Sequence, residues 1–147
     1  MSTDNIGFLM VDIIRLMRRE YQKREMSLTY MQARALLCVQ RSEGLRQVAL
    51  AELLEIQPIT LARLIDQLAS DGLVERRQDP KDRRAYCLYL KEPALERLKC
   101  INGIKDEVRD KTMDGLSDEQ IMLVVEVLQR MHTNLSNDSH ESILSKP

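Results

Sequence analysis

The sequence is short of the residues that define several common kinds of protein. Five glycines and four prolines in 147 residues are too few for a collagen-like or low-complexity chain. Three cysteines, Cys38, Cys87 and Cys100, are odd in number and widely spaced, which excludes a disulfide framework and matches no zinc pattern. His132 and His140 stand far from any cysteine pair, so no metal or other cofactor is expected. Asp4, Asp12 and Arg15 interrupt the only apolar stretch near the start, unlike a secretory signal. No apolar run approaches the ~20 residues of a membrane span. The expectation is a soluble, cytoplasmic protein.

What is present is 44% apolar and 31% charged residues with a net charge of −1. That length suits one compact domain, or a core with appended helices, and buries roughly two-thirds of the unfolded surface. Near neutrality excludes a blanket polycation. Any nucleic-acid binding must therefore rest on local charge.

Periodicity predicts mostly helix. From about Ile6 to Arg24, Leu9, Ile13, Leu16 and Met17 form one stripe of a helix. Thr29 and Gln32 make a capping box that opens a second helix, running to about Arg41 and stopped at Gly44. A short helix over Arg46–Leu54 is broken at Ile56-Gln57-Pro58, and Pro58 opens the next, with Leu61, Leu64, Ile65 and Leu68 on its inner face and Gly72 at its end. Two such helices and a tight turn read as helix-turn-helix.

The pattern then alternates: Leu73–Arg76 and Ala85–Leu90 read as strands around a polar loop, Arg77–Arg84. A hairpin after a helix-turn-helix is a winged helix. Pro93 opens a further helix, carrying Leu95, Leu98, Ile101 or Asn102, Lys105 and Val108. Ser117 and Gln120 cap a last one that carries Ile121, Val124, Val125, Leu128, Met131 and Leu135. From residue 136 on, the serine-rich tail is expected to be disordered. The fold class is thus mainly α with a small β-hairpin (α+β).

Charge singles out the hairpin. Between residues 76 and 84, Arg76, Arg77, Lys81, Arg83 and Arg84 face only Asp79 and Asp82. Five basic groups against two acidic ones suit a phosphate backbone. On the preceding helix, Gln57, Pro58, Thr60 and Arg63 fall on or near the outer face, towards the N-terminal half that reaches base edges in a major groove. Arginine matches guanine, glutamine matches adenine, and threonine reaches a base or a phosphate. Ile59 reads either as core or as a thymine-methyl contact. Asp66 and Gln67 read as plain solvated surface.

The runs Gln57–Leu68, Asp71-Gly72-Leu73-Val74-Glu75-Arg76 and Asp79-Pro80-Lys81-Asp82-Arg83-Arg84 resemble the MarR family, and within it the SlyA type, up to about Leu135. The resemblance implies a winged helix-turn-helix over residues 29–91 that binds double-stranded DNA. It also implies a helical dimerisation region over 1–28 and 92–135, giving a homodimer on a pseudo-palindromic operator, most often as a repressor. By position, Arg63 becomes the recognition-helix arginine and Arg83 or Arg84 the wing-tip arginine in a minor groove, with Arg77 and Lys81 beside them. Asp82 takes a structural part, orienting Arg76 or Arg84. Relatives also bind small aromatic or carboxylate effectors. Here Arg15, Arg18, Tyr30 and Arg34 are the residues able to hold a carboxylate, although Ala33 and Leu37 stand where the SlyA type has polar and aromatic pocket residues.

Other readings are a thiol-based redox regulator and a winged helix that binds protein without DNA. A thiol switch needs an accessible cysteine of lowered pKa. Cys38 instead falls in an apolar run, Cys87 on a strand, and Cys100 on a helix. The interaction module predicts a neutral wing, which this chain lacks. A Cys100–His132 pair has no third orienting residue and no oxyanion loop, so no enzyme is expected.

Overall fold

The computed structural model describes residues 3–136. After a short 3-10 turn at Thr3–Asn5 come α1 (Ile6–Gln22), α2 (Tyr30–Arg41), β1 (Leu45–Arg46), α3 (Gln47–Leu54) and α4 (Pro58–Ser70), then β2 (Val74–Gln78), β3 (Tyr86–Leu90), α5 (Ala94–Met113) and α6 (Asp118–Ser136). The chain forms two compact units, one up to Val108 and one from Arg109 onward. Among the described residues no helix is long and apolar enough to cross a membrane.

Local chemistry explains the boundaries. The Thr29 hydroxyl accepts from the Gln32 N–H at 3.2 Å while the Gln32 amide oxygen accepts from the Thr29 N–H at 2.9 Å, so two free donors at the start of α2 are satisfied together. After α2, Gly44 takes φ +84°, and its N–H donates to the Leu88 carbonyl at 2.8 Å. A side chain there would also meet the Tyr89 hydroxyl at 3.1 Å. At the end of α4 the Gly72 N–H donates to Ala69 and the Leu73 N–H to Leu68, at 3.0 and 2.9 Å. With Gly72 at φ +73° this is the Schellman arrangement, which turns the chain straight into β2. The α3–α4 turn passes instead through Glu55 at φ +53°, a left-handed position that favours glycine.

The core lies between the helix-turn-helix and the sheet. Leu36 and Val39 of α2, Leu50 of α3, Leu61, Ile65 and Leu68 of α4 and Leu88 of β3 are fully buried, and truncating one such leucine to alanine costs about 2–5 kcal/mol. Leu64 is only partly buried, packed against that cluster. From α5, Ala94, Leu98, Ile101, Ile104 and Val108 turn inward. The expected face differs from this one because Leu95 is exposed and Ala94 and Ile104 take the inner positions.

The expected hairpin is a three-stranded antiparallel sheet in the order β1-β3-β2. Leu45 pairs with Leu88 and Arg46 with Cys87, so Arg46 lies in a strand before α3, not within the helix. Pairing of β2 with β3 extends from Val74–Leu90 to Gln78–Tyr86. Arg77 and Gln78 therefore belong to the strand, and the loop is shorter than the polar composition suggested. At the far end, Ser136 still belongs to α6, its hydroxyl donating to the His132 carbonyl at 2.8 Å. The rest of the expected tail, 137–147, lies outside the described residues. Of the α1 stripe, Leu9, Ile13 and Leu16 are exposed and Met17 is half-buried, and no residue of α1 or of α6 is buried.

Candidate nucleic-acid interface

The outer surface of α4 is built at its first turn. Gln57 is the N-cap residue in extended conformation and makes no side-chain cap bond, so its amide stays available. Gln57, Pro58, Ile59, Thr60 and Arg63 are all exposed. The helix is fixed from behind by Leu61, Ile65 and Leu68.

The wing loop is shaped by two aspartates, each accepting from a backbone N–H two residues on. Asp79 Oδ1 accepts from Lys81 at 2.8 Å and Asp82 Oδ1 from Arg84 at 3.0 Å, both Asx turns. The Gln78 amide donates to the Arg83 carbonyl at 2.9 Å, closing the loop from the strand side. Lys81, Arg83 and Arg84 project into solvent, and no ion pair joins them to the described residues.

The other two basic residues of the run are differently placed. Arg76 turns back onto α4 and α3: its guanidinium meets Asp66 Oδ1 at 2.6 Å, the Ala62 carbonyl at 3.0 Å and the Gln47 amide oxygen at 2.8 Å. Arg77 stacks over the Tyr89 ring, 3.9 Å from its centroid, and pairs with Glu75. The free charge of the wing is thus confined to its tip. Asp82 does not orient Arg76; Asp66 does, because β2 runs alongside α4 and Asp82 lies past the end of the strand. Asp66 is therefore more than solvated surface, and Gln67 likewise bonds Asp71 at 3.1 Å.

The central anchor of the wing is Asp79, which is buried. Arg46 Nε and Nη2 both reach its Oδ2 at 2.7 Å, and the Cys87 thiol lies 3.9 Å from the same oxygen. The Lys81 N–H, followed by Arg46, holds this carboxyl below the usual carboxylate range, against the opposing effect of desolvation. The sequence alone does not reveal the pairing of Asp79 with Arg46. An aspartate before Pro80 signals an Asx turn, whereas nothing local marks Arg46 as its partner from 33 residues away.

The effector candidates separate. Arg18 and Arg34 flank the Tyr30 ring, 5.0 and 5.9 Å from its centroid, and Tyr21 is 6.0 Å from it ring to ring. Tyr21, Met26, Tyr30, Ala33, Arg34, Leu37 and Lys105 line a cavity of about 90 Å³. Burial, followed by the neighbouring Tyr30, pushes the Tyr21 hydroxyl up. Arg15 is not part of this group; it pairs with Asp12 at 2.7 Å one turn away. The Cys38 thiol is also pushed up by burial, against Arg34 and Arg41, which is opposite to what a reactive thiolate needs. Cys87 is buried and Cys100 exposed. Among the described residues no cluster of His, Cys, Asp and Glu can hold a metal ion.

Residues 28–86 match the model of the MarR family. The chain is 28% identical over 96 residues to the uncharacterized HTH-type transcriptional regulator YdgJ of Bacillus subtilis (strain 168), a match over 65% of this chain and 58% of that protein. It thus spans just under three-fifths of that relative's length. A crystal structure of MarR is similar over 93% of this chain and 95% of its own, with 25% identity and a TM-score of 0.82. The transcriptional regulator SlyA is similar over 92% and 96%, with 27% identity and a TM-score of 0.73. Residues 28–86, which hold the helix-turn-helix and the wing loop, thus match a MarR family domain, and the fold is similar to that of these solved regulators.

Proposed function

We propose that the protein is a sequence-specific transcriptional regulator, acting as a repressor, that binds a pseudo-palindromic operator as a homodimer. The observation that carries this reading is the pairing of two exposed surfaces within one compact unit: the polar first turn of α4 and a wing tip whose Lys81, Arg83 and Arg84 lack acidic partners among the described residues. Gln57, Pro58, Thr60 and Arg63 enter the major groove, where Arg63 can bond guanine in bidentate fashion. Arg83 and Arg84 enter the flanking minor groove, reading its width and potential. Arg77, held on Tyr89 and Glu75, contributes at the edge of the wing. The relative named as a transcriptional regulator lends support.

Residues 29–91 form the DNA-binding part in this reading, and residues 1–28 with 92–135 the pairing part. Support comes from α1, where Phe8, Leu9, Val11 and Ile14 are exposed, and separately from α6, where Met122, Leu123, Val125 and Val127 are. Apolar helix faces left uncovered in one chain call for a second. A small aromatic or carboxylate effector takes the cavity beside Tyr30, with Arg18 and Arg34 as its cationic groups, and changes the separation of the two recognition helices.

The test is selection of duplexes from a random pool by the purified protein, followed by sequencing. Enriched sites with two-fold symmetry are expected. A protein that retains no duplex even at low salt overturns the reading.

A further inference from the structure

Ile59 occupies an unusual place on α4. Leu68 lies nine residues on, and at about 100° per residue the two point in opposite directions across the helix. The buried stripe of Leu61, Ile65 and Leu68 thus has Ile59 diametrically behind it, at the middle of the outer face, where Arg63 and Asp66 flank it one and two turns later. The side chain is 67% exposed, so the core role is excluded. Its exposed neighbours Gln57, Thr60 and Arg63 are polar.

We infer that Ile59 packs against the C5-methyl group of a thymine in the major groove. The inference rests on the DNA-binding reading above and assigns it a base. The major-groove edges are read mainly through hydrogen-bond donors and acceptors, and thymine alone adds a methyl group there. Pressing isoleucine onto polar edges would strip their water without replacement bonds, whereas a methyl partner removes apolar surface from both sides. A β-branched side chain in a helix keeps essentially one χ1 rotamer, so Ile59 is already held outward with little order left to lose. Gln57, uncapped and two residues earlier, suits adenine. The two together favour A·T pairs within each half-site.

Replacing thymine by uracil deletes this methyl and leaves the pairing edge intact. Duplexes selected by the full-length protein are resynthesised with single dT→dU exchanges and titrated with wild type and Ile59→Ala at fixed salt. The expected result is one thymine per half-site whose exchange weakens wild type about fourfold, the worth of one buried methyl. Ile59→Ala should bind the dT duplex more weakly and be indifferent to the exchange. If duplexes are bound but every exchange affects both proteins alike, the methyl contact is wrong and DNA binding stands; a protein partner on Ile59 would give that outcome. If no duplex is bound, the inference falls with the reading beneath it.

Discussion

Arg76 of β2 and Asp66 of α4 meet at 2.6 Å, and the same guanidinium bonds the Ala62 carbonyl inside α4 and the side chain of Gln47 at the start of α3. One side chain thus fixes the wing strand to both helices of the helix-turn-helix. The components are unequal. Asp66 is largely exposed, so solvent screens the ion pair and it contributes at most about 1 kcal/mol. The bonds to Ala62 and Gln47 are made by a mostly buried group, and losing them costs about 1–3 kcal/mol. Arg76→Ala is expected to destabilise clearly more than Asp66→Asn in urea unfolding. Equal losses in the two variants would refute this division.

The two halves of the interface should fail in different ways. Phosphate and minor-groove contacts add affinity with little sequence information, so Arg83→Ala and Arg84→Ala should weaken all selected duplexes evenly and lower the salt slope by about one each. A bidentate base contact carries about 1–3 kcal/mol of discrimination, so Arg63→Ala should flatten preference at one operator position. Titrating each variant against operator mutants at several salt concentrations separates the effects. Unchanged selectivity in Arg63→Ala removes it from base reading.

Much of this arrangement was legible in the sequence because its causes are local. Thr29 and Gln32 announce a helix start, Pro58 another, and Gly72 a stop, through backbone geometry alone. The basic run at the wing was equally visible. What local pattern does not reveal is which charges are neutralised across space. Arg76 and Arg77 count as wing charge in sequence, yet one is folded onto Asp66 and the other onto Tyr89. Asp79 and Arg46 likewise meet only when β1 pairs with β3, a contact between strands separated by two helices and a strand. The exposure of Ile59 depended on which of two readings packing chose, and periodicity left both open.

Asp79 ties wing stability to pH. Its carboxyl titrates below the usual value in the folded chain, so the stability it adds is fully present above the ordinary aspartate pKa of about 3.9 and is lost as pH falls through the lower, folded-state value. The groups facing it are Arg46, the backbone N–H groups of Lys81 and Asp82, and the Cys87 thiol. The stability difference between wild type and Asp79→Asn should therefore stay level from neutrality to about pH 5 and shrink below pH 4. Unfolding curves at stepped pH test this. A difference independent of pH down to acid would mean that Asp79 acts through shape alone.

Apolar residues of α1 should govern assembly. Leu9, Ile13 and Leu16 lie on one stripe and are exposed, while the core around Leu36, Leu61 and Leu88 does not involve them. An uncovered amphipathic helix gains stability from packing more than from its own propensity, and a second copy would bury that stripe. Leu9→Glu combined with Ile13→Glu places two charges where the partner would sit, and burying unpaired charge is costly. Sedimentation should show the double variant shifted to monomer with its helical circular dichroism largely kept. Operator affinity should fall at the same time, because two half-sites about 34 Å apart need two linked recognition helices. A double variant that stays dimeric, or one that is monomeric yet binds the operator as tightly as wild type, would break the link between α1 and paired DNA recognition.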